Sequence, residues 1–168
     1  MRGHRALLSF LLALLACVGC DHATKQAAVR LMAESGSLDL AGGILRFQLA
    51  SNPGAFLSVG AALPDALRSF LLLGCVPLLI AGVCLYFARF SEKSRAQLVA
   101  LGILAGGGLG NWLDRLLHDG TVTDFVSLGV GRLRTGIFNL ADLAVVAGIC
   151  WLLWSARRPE PRSLEPGA

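Results

Sequence analysis

Charge is what this sequence has least of. Of its 168 residues only 15% are Asp, Glu, Lys or Arg, against roughly a quarter in an ordinary soluble domain. With 55% hydrophobic residues and a mean hydropathy of +0.65, that shortage argues against a water-soluble globule, a disordered chain and a nucleic-acid binder. The net charge of +4 does not reverse this, because its meaning depends on where the positive residues lie. Histidine is scarce as well, and His4, His22 and His118 are too scattered to build a metal site. Neither a G-x-S-x-G elbow nor an H-E-x-x-H pair is present, so the machinery of those hydrolases is missing. The cysteines Cys17, Cys20, Cys75, Cys84 and Cys150 all fall in apolar runs, unlike the disulfide framework of a small secreted scaffold. Cys17 and Cys20 form a lone C-x-x-C with no second pair, and read as small apolar helix residues. What is left is the composition of a single membrane-embedded domain.

A bilayer core about 30 Å thick needs about 20 mostly apolar residues per helix. Ser69 to Ala88 and Ala96 to Leu113 are uncharged and meet that need, or nearly so. Ala6 to Cys20 runs into Asp21, and Leu143 to Ala156 is preceded by Asp142. Each of these two is too short alone and must carry its aspartate into the membrane region. The pattern predicts a mainly α membrane protein with four transmembrane helices, over about 6–28, 68–88, 96–116 and 137–156. Residues 1–158 form one integral-membrane domain in this reading, and 159–168 a disordered cytoplasmic tail.

Orientation follows from the Lys/Arg bias. Arg2 and Arg5, then Arg89, Lys93 and Arg95, then Arg157, Arg158 and Arg162 lie on one side of a four-span arrangement, so both termini are expected in the cytoplasm. The outward segments differ in kind. Residues 44–49 alternate with Leu45, Phe47 and Leu49 on one face, and Ser51-Asn52-Pro53-Gly54 reads as a turn. Thr121 to Val130 is rich in β-branched residues between Gly120 and Gly131. A small extracytoplasmic β-sheet is expected between the helices. Met1 to Cys20 also imitates a lipoprotein signal ending in Val18-Gly19-Cys20. The helical pattern continuing through Ala23 to Val29, and Cys17 where such signals usually carry Leu, favour a retained first span.

Counting 1.5 Å per residue from the positive flanks places the polar residues by depth. Arg5 to Asp21 and Arg95 to Asn111 are each about 24 Å, and Arg157 back to Asp142 is about 22 Å. Three helices thus bring a polar side chain to one level, below the outer surface, where facing lipid is costly. Asp21 and Lys25, Asn111 and Arg115, Asn111 and Asp114, and Asn139 and Asp142 are spaced to share helix faces. For Asp21, Lys25, Asp114 and Arg115, bracing a bundle explains the pattern at least as well as chemistry does. Asp124 is different. It sits in an apolar β-like stretch that must return to the membrane just above Asn139 and Asp142, so Asp124 and Asp142 can meet. Two carboxylates in a low-dielectric site share one proton. That arrangement suits aspartic peptide hydrolysis, which needs neither metal nor cofactor.

At this point the chain closely resembles the lipoprotein signal peptidases (signal peptidase II). Asp21-His22-Ala23-Thr24-Lys25 matches the family's D-x-x-T-K, and Asn52-Pro53-Gly54-Ala55 resembles its N-x-G-A box. Gly110-Asn111-Trp112-Leu113-Asp114-Arg115 matches G-N-x-x-D-R, Val122-Thr123-Asp124-Phe125 resembles V-x-D-F, and Phe138-Asn139-Leu140-Ala141-Asp142 matches F-N-x-A-D. The resemblance implies four helices with an extracytoplasmic β-cradle in the bacterial cytoplasmic membrane. It implies an aspartic endopeptidase that removes signal peptides from diacylglyceryl-modified prolipoproteins just before the lipidated Cys. By motif, Asp124 and Asp142 would be the catalytic dyad, and Asp21, Lys25, Asn52, Gly54, Asn111, Asp114, Arg115 and Asn139 would line or brace the site. The active site would lie near the outer leaflet, with membrane lipids as surroundings and no nucleic-acid partner, in a protein expected to act as a monomer. The chain departs from the family where Phe56-Leu57-Ser58 follow Ala55 directly and where Leu143 follows Asp142.

Two other classes use intramembrane polar residues. A small proton-linked transporter would need a polar path into the cytoplasmic halves of the spans, and those halves are uncharged here. A non-catalytic assembly protein explains the braced pairs and gives Asp124 no task.

Overall fold

The computed structural model describes residues 2–90 and 94–156, so the expected tail at 159–168 lies outside the described residues. The first helix, α1 (Arg2–Ser35), is 34 residues long and runs past the span expected to end near 28. No proline or glycine interrupts it between Cys20 and Ser35, and it stops at Gly36, whose φ of +68° suits a residue without a Cβ. The Gly36 N–H donates to the Met32 carbonyl at 3.1 Å, which closes the last turn.

A second helical stretch starts after Pro64 as α2 (Asp65–Ser69). It widens into a π segment (Phe70–Cys75) and continues as α3 (Val76–Phe90). The central helix α4 (Arg95–Leu117) opens with a capping box: the Gln97 N–H donates to Ser94 Oγ at 3.3 Å, and the Ser94 N–H donates to Gln97 Oε1 at 3.0 Å. The last, α5 (Leu140–Ala156), begins three residues later than the expected 137, because Phe138 is drawn into an antiparallel bridge with Val126. By length and composition, Leu7–Ser35, Asp65–Tyr86 and Arg95–Leu117 can cross a membrane, and Leu140–Ser155 is a shorter apolar helix.

α4 sits between α1 and α5, and glycine makes both approaches possible. A Cβ on Gly106 would come within 2.8 Å of the Leu14 carbonyl oxygen on α1, and one on Gly107 within 2.5 Å of the Ala141 carbonyl oxygen on α5. By contrast, none of the described side chains of α3 is buried.

Between the helices lies a four-stranded antiparallel sheet in the order β1 (Ser37–Leu40), β2 (Leu45–Asn52), β3 (Val122–Val130), β4 (Leu133–Arg134). The central pair matches the two segments whose patterns predicted strands. The strand β2 runs on to Asn52, into the expected turn, because Ala50, Ser51 and Asn52 pair with Asp124, Thr123 and Val122. One face carries Phe125, which packs with Ala28 and Met32 of α1 and with Phe47 and Leu49 of β2. That cluster docks the sheet on the C-terminal part of α1 and leaves Asp124, next along the strand, facing the other way.

Candidate active site

Asp124 and Asp142 are both buried, at 1% and 6% exposure, and Asn139 joins them. Asn139 stands just before α5, and its geometry there is a reciprocal cap. The Asp142 N–H donates to Asn139 Oδ1 at 3.0 Å, and the Asn139 N–H donates to Asp142 Oδ2 at 3.2 Å. This is the S/T-x-x-E capping box rewritten as N-x-x-D, so the spacing of this motif is the spacing of a helix start. The same Asn139 reaches out with Nδ2 to Asp124 Oδ1 at 2.7 Å. One side chain thus sets the first turn of α5 and ties it to β3.

The other partners of the pair are also amides. Asn52 lies diagonally across the β2–β3 ladder from Asp124 and donates to its Oδ2 at 2.8 Å. Asn111 of α4 donates to Asp142 Oδ1 at 2.8 Å. Among the described residues neither carboxylate forms a salt bridge. Burial pushes the Asp124 carboxyl up to about 6; the bond from Asn52 opposes this, and the nearby Asp142 charge adds to it.

A second pair of carboxylates lies beside the first and is held differently. Lys25 Nζ contacts Asp21 Oδ2 at 2.7 Å and Asp114 Oδ2 at 3.1 Å, and donates to Asn111 Oδ1 at 3.0 Å. Each of these acids also grips a peptide. The Ala141 N–H donates to Asp21 Oδ1 at 2.9 Å, and the Thr123 N–H donates to Asp114 Oδ2 at 3.1 Å. Ala141 and Thr123 are the residues directly before Asp142 and Asp124. The lysine therefore links the two peptide units that deliver the other pair. Close approach explains Gly110, where a Cβ would lie 2.9 Å from Asp21 Oδ2.

Arg115 secures the loop after β2. Its Nη1 donates to the Asn111 carbonyl at 3.0 Å and its Nη2 to the Gly54 carbonyl at 2.5 Å, while Nε is buried without a partner. The Gly54 N–H in turn donates to Asn52 Oδ1 at 2.8 Å. A Cβ on Gly54 would meet the Val59 carbonyl oxygen at 2.6 Å, because the chain doubles back there. The segment that departs from the family pattern makes that reversal, with Leu57 and Ser58 at φ of 54° and 65°.

All ten candidate residues, Asp21, Lys25, Asn52, Gly54, Asn111, Asp114, Arg115, Asp124, Asn139 and Asp142, fall within one continuous hydrogen-bonded network. His22 and His118 stay at its margin: both are exposed, and His118 Nδ1 lies 3.0 Å from the Asp114 carbonyl oxygen. The peptides of Thr123 and Ala141 carry no side-chain mark that could have announced them. Trp112, which no spacing singles out, donates from Nε1 to the Leu73 carbonyl in the π segment at 3.0 Å. Among the described residues no group of three or more His, Cys, Asp and Glu is arranged to hold a metal ion.

Helices long and apolar enough to cross a membrane, around a buried, amide-held pair of aspartates, mark a membrane-protein fold. Comparison with known proteins gives the family. The sequence model of signal peptidase II matches residues 13–158, and the chain belongs to that family. It is 32% identical to the lipoprotein signal peptidase of Azoarcus sp. (strain BH72) over 96% of this chain and 90% of that one. Against the lipoprotein signal peptidase of Geobacillus thermodenitrificans (strain NG80-2) the identity is 30%, over 90% and 91%. A solved bacterial membrane enzyme shares the fold, with a TM-score of 0.74 at 22% identity, covering 95% of this chain and 93% of its own.

Proposed function

We propose that this protein is an aspartic endopeptidase that removes signal peptides from diacylglyceryl-modified prolipoproteins, cutting just before the lipidated Cys, with Asp124 and Asp142 as the catalytic dyad. The observation that carries the assignment is the bridge through Asn139, which holds two buried carboxylates together without a cation on either. Such a pair keeps one proton between its members. The ionised member takes a proton from water as the water attacks the scissile carbonyl, and the neutral member donates a hydrogen bond to the developing oxyanion. Collapse of the tetrahedral intermediate breaks the C–N bond, and the new amine leaves with the proton the base acquired. Asn52, Asn111 and Asn139 orient the carboxylates, and Arg115 holds the Gly54 loop beside them.

The same reading places residues 1–158 in the bacterial cytoplasmic membrane as one domain with four spans and both termini in the cytoplasm. It puts the dyad near the outer leaflet, where a diacylglyceryl substrate stays, and has the protein working as a monomer. Its support is the Lys/Arg bias and the common depth of Asp21, Asn111 and Asp142. The test is cleavage by the purified, reconstituted protein of a prolipoprotein with and without its diacylglyceryl group, with a chelator in a parallel arm. Chelator-resistant release of the signal peptide from the lipidated form alone is expected. No cleavage by folded protein would return the transporter and assembly readings.

A further inference from the structure

A groove of about 570 Å³ runs between α4 and α5 at the end of the bundle opposite the dyad. That volume is in the range of sites that bind small molecules. Its walls are apolar, formed by Ala96, Ala100 and Ile103 of α4 with Ala147 and Trp151 of α5, and a single cation, Arg95, stands at its mouth. Arg95 is about 24 Å along α4 from Asn111. Its Nε donates to Ser9 Oγ at 3.0 Å, which fixes the side chain, and it has no acidic partner among the described residues. Trp151 packs edge-on against Trp154 with ring centroids 5.3 Å apart, a pairing suited to the headgroup level of a membrane.

We propose that this groove binds an anionic phospholipid of the inner leaflet, with one acyl chain between α4 and α5 and its phosphate on Arg95. Charge complementarity chooses the occupant. Among the described residues that line the groove, the one charge is that of Arg95, and no acidic side chain is among them. A basic recess between helices at the cytoplasmic end is suited to an acidic headgroup, whereas a zwitterionic lipid gains nothing from that charge. The small residues Ala96, Ala100 and Ala147 leave room for a chain to lie against the helix backbones. The site is separate from the dyad, so it stands or falls independently of the proposed peptidase activity.

The test is native mass spectrometry of the delipidated full-length protein titrated with phosphatidylglycerol or with phosphatidylcholine of the same chains. Wild type is expected to retain phosphatidylglycerol about fivefold better, the scale of one arginine at a membrane surface. In Arg95→Gln the preference should fall to parity. Ala147→Phe, which fills an exposed stretch of the groove and keeps Arg95, should lower retention of both lipids. Equal retention of the two lipids by wild type would overturn the proposal. So would a preference that survives Arg95→Gln, retention indifferent to Ala147→Phe, or a dimer whose second copy covers the groove.

Discussion

Two pairs of buried aspartates lie side by side in this molecule, and their partners differ. Asp21 and Asp114 share the full positive charge of Lys25, and each holds a backbone N–H as well. Asp124 and Asp142 receive side-chain hydrogen bonds only from neutral amides. A carboxylate tied to both a cation and a backbone N–H is held in place and serves as a peg. One that is oriented by amides keeps its place while remaining free to gain or lose a proton. In the proposed reading the contrast separates bracing from chemistry, which the shared helix-face spacing of Asp21, Asp114 and Asp142 could not.

The largest loss is expected from removing the acidic function on the amide side. Asp124→Asn and Asp142→Asn should each lower cleavage about 10³-fold or more, measured by release of signal peptide, with no loss of thermal stability in detergent. On the lysine side the damage should be to stability. Lys25→Met leaves Asp21 and Asp114 buried without their cation and should cost about 3–5 kcal/mol in chemical unfolding. Asn139→Ala touches both regions of the site. It removes the cap of α5, worth about 1 kcal/mol, and loosens the pair, so cleavage should fall about 10²-fold through misplacement.

The smallest effect expected is on pH. With Asp124 pushed up to about 6 by burial, kcat/KM should decline as pH rises through about 6 and the pair loses its shared proton. Asn52→Ala removes a bond that favours the ionised form, so that limb should move to higher pH. The stability linkage has the same origin. The folded carboxyl holds its proton more tightly than the unfolded one, so the contribution of Asp124 to stability is greatest at low pH. It declines between the ordinary carboxylate range and about 6.

Much of the site could be read in the sequence because helix spacing and depth are local arithmetic. Asn111 with Asp114 and Arg115, Asn139 with Asp142, and Asp21 with Lys25 were legible as same-face pairs, and β2 and β3 as short patterned strands. What escaped depends on tertiary partners. The strand β1 is four exposed residues, which offer no alternation of burial to detect. The two-residue β4 forms only because the chain turns at Gly131, where φ is +58°. The π segment shows no breaker of its own; Trp112 bonds to a carbonyl within it. The roles of Asp21 and Asp114 were ambiguous because their second ligands are the peptides of Ala141 and Thr123, 120 and 9 residues away in sequence.

The most direct measurement places the four aspartates in one experiment. Each of Asp21, Asp114, Asp124 and Asp142 is changed to Asn, and cleavage of a diacylglyceryl prolipoprotein is read beside the unfolding temperature of the same preparation. Asp124→Asn and Asp142→Asn are expected to abolish cleavage at unchanged or higher unfolding temperature. Asp21→Asn and Asp114→Asn are expected to lower the unfolding temperature and keep measurable cleavage. Full cleavage in either of the first two, or a folded, equally stable and inactive Asp21→Asn, would contradict the division into a catalytic and a bracing pair.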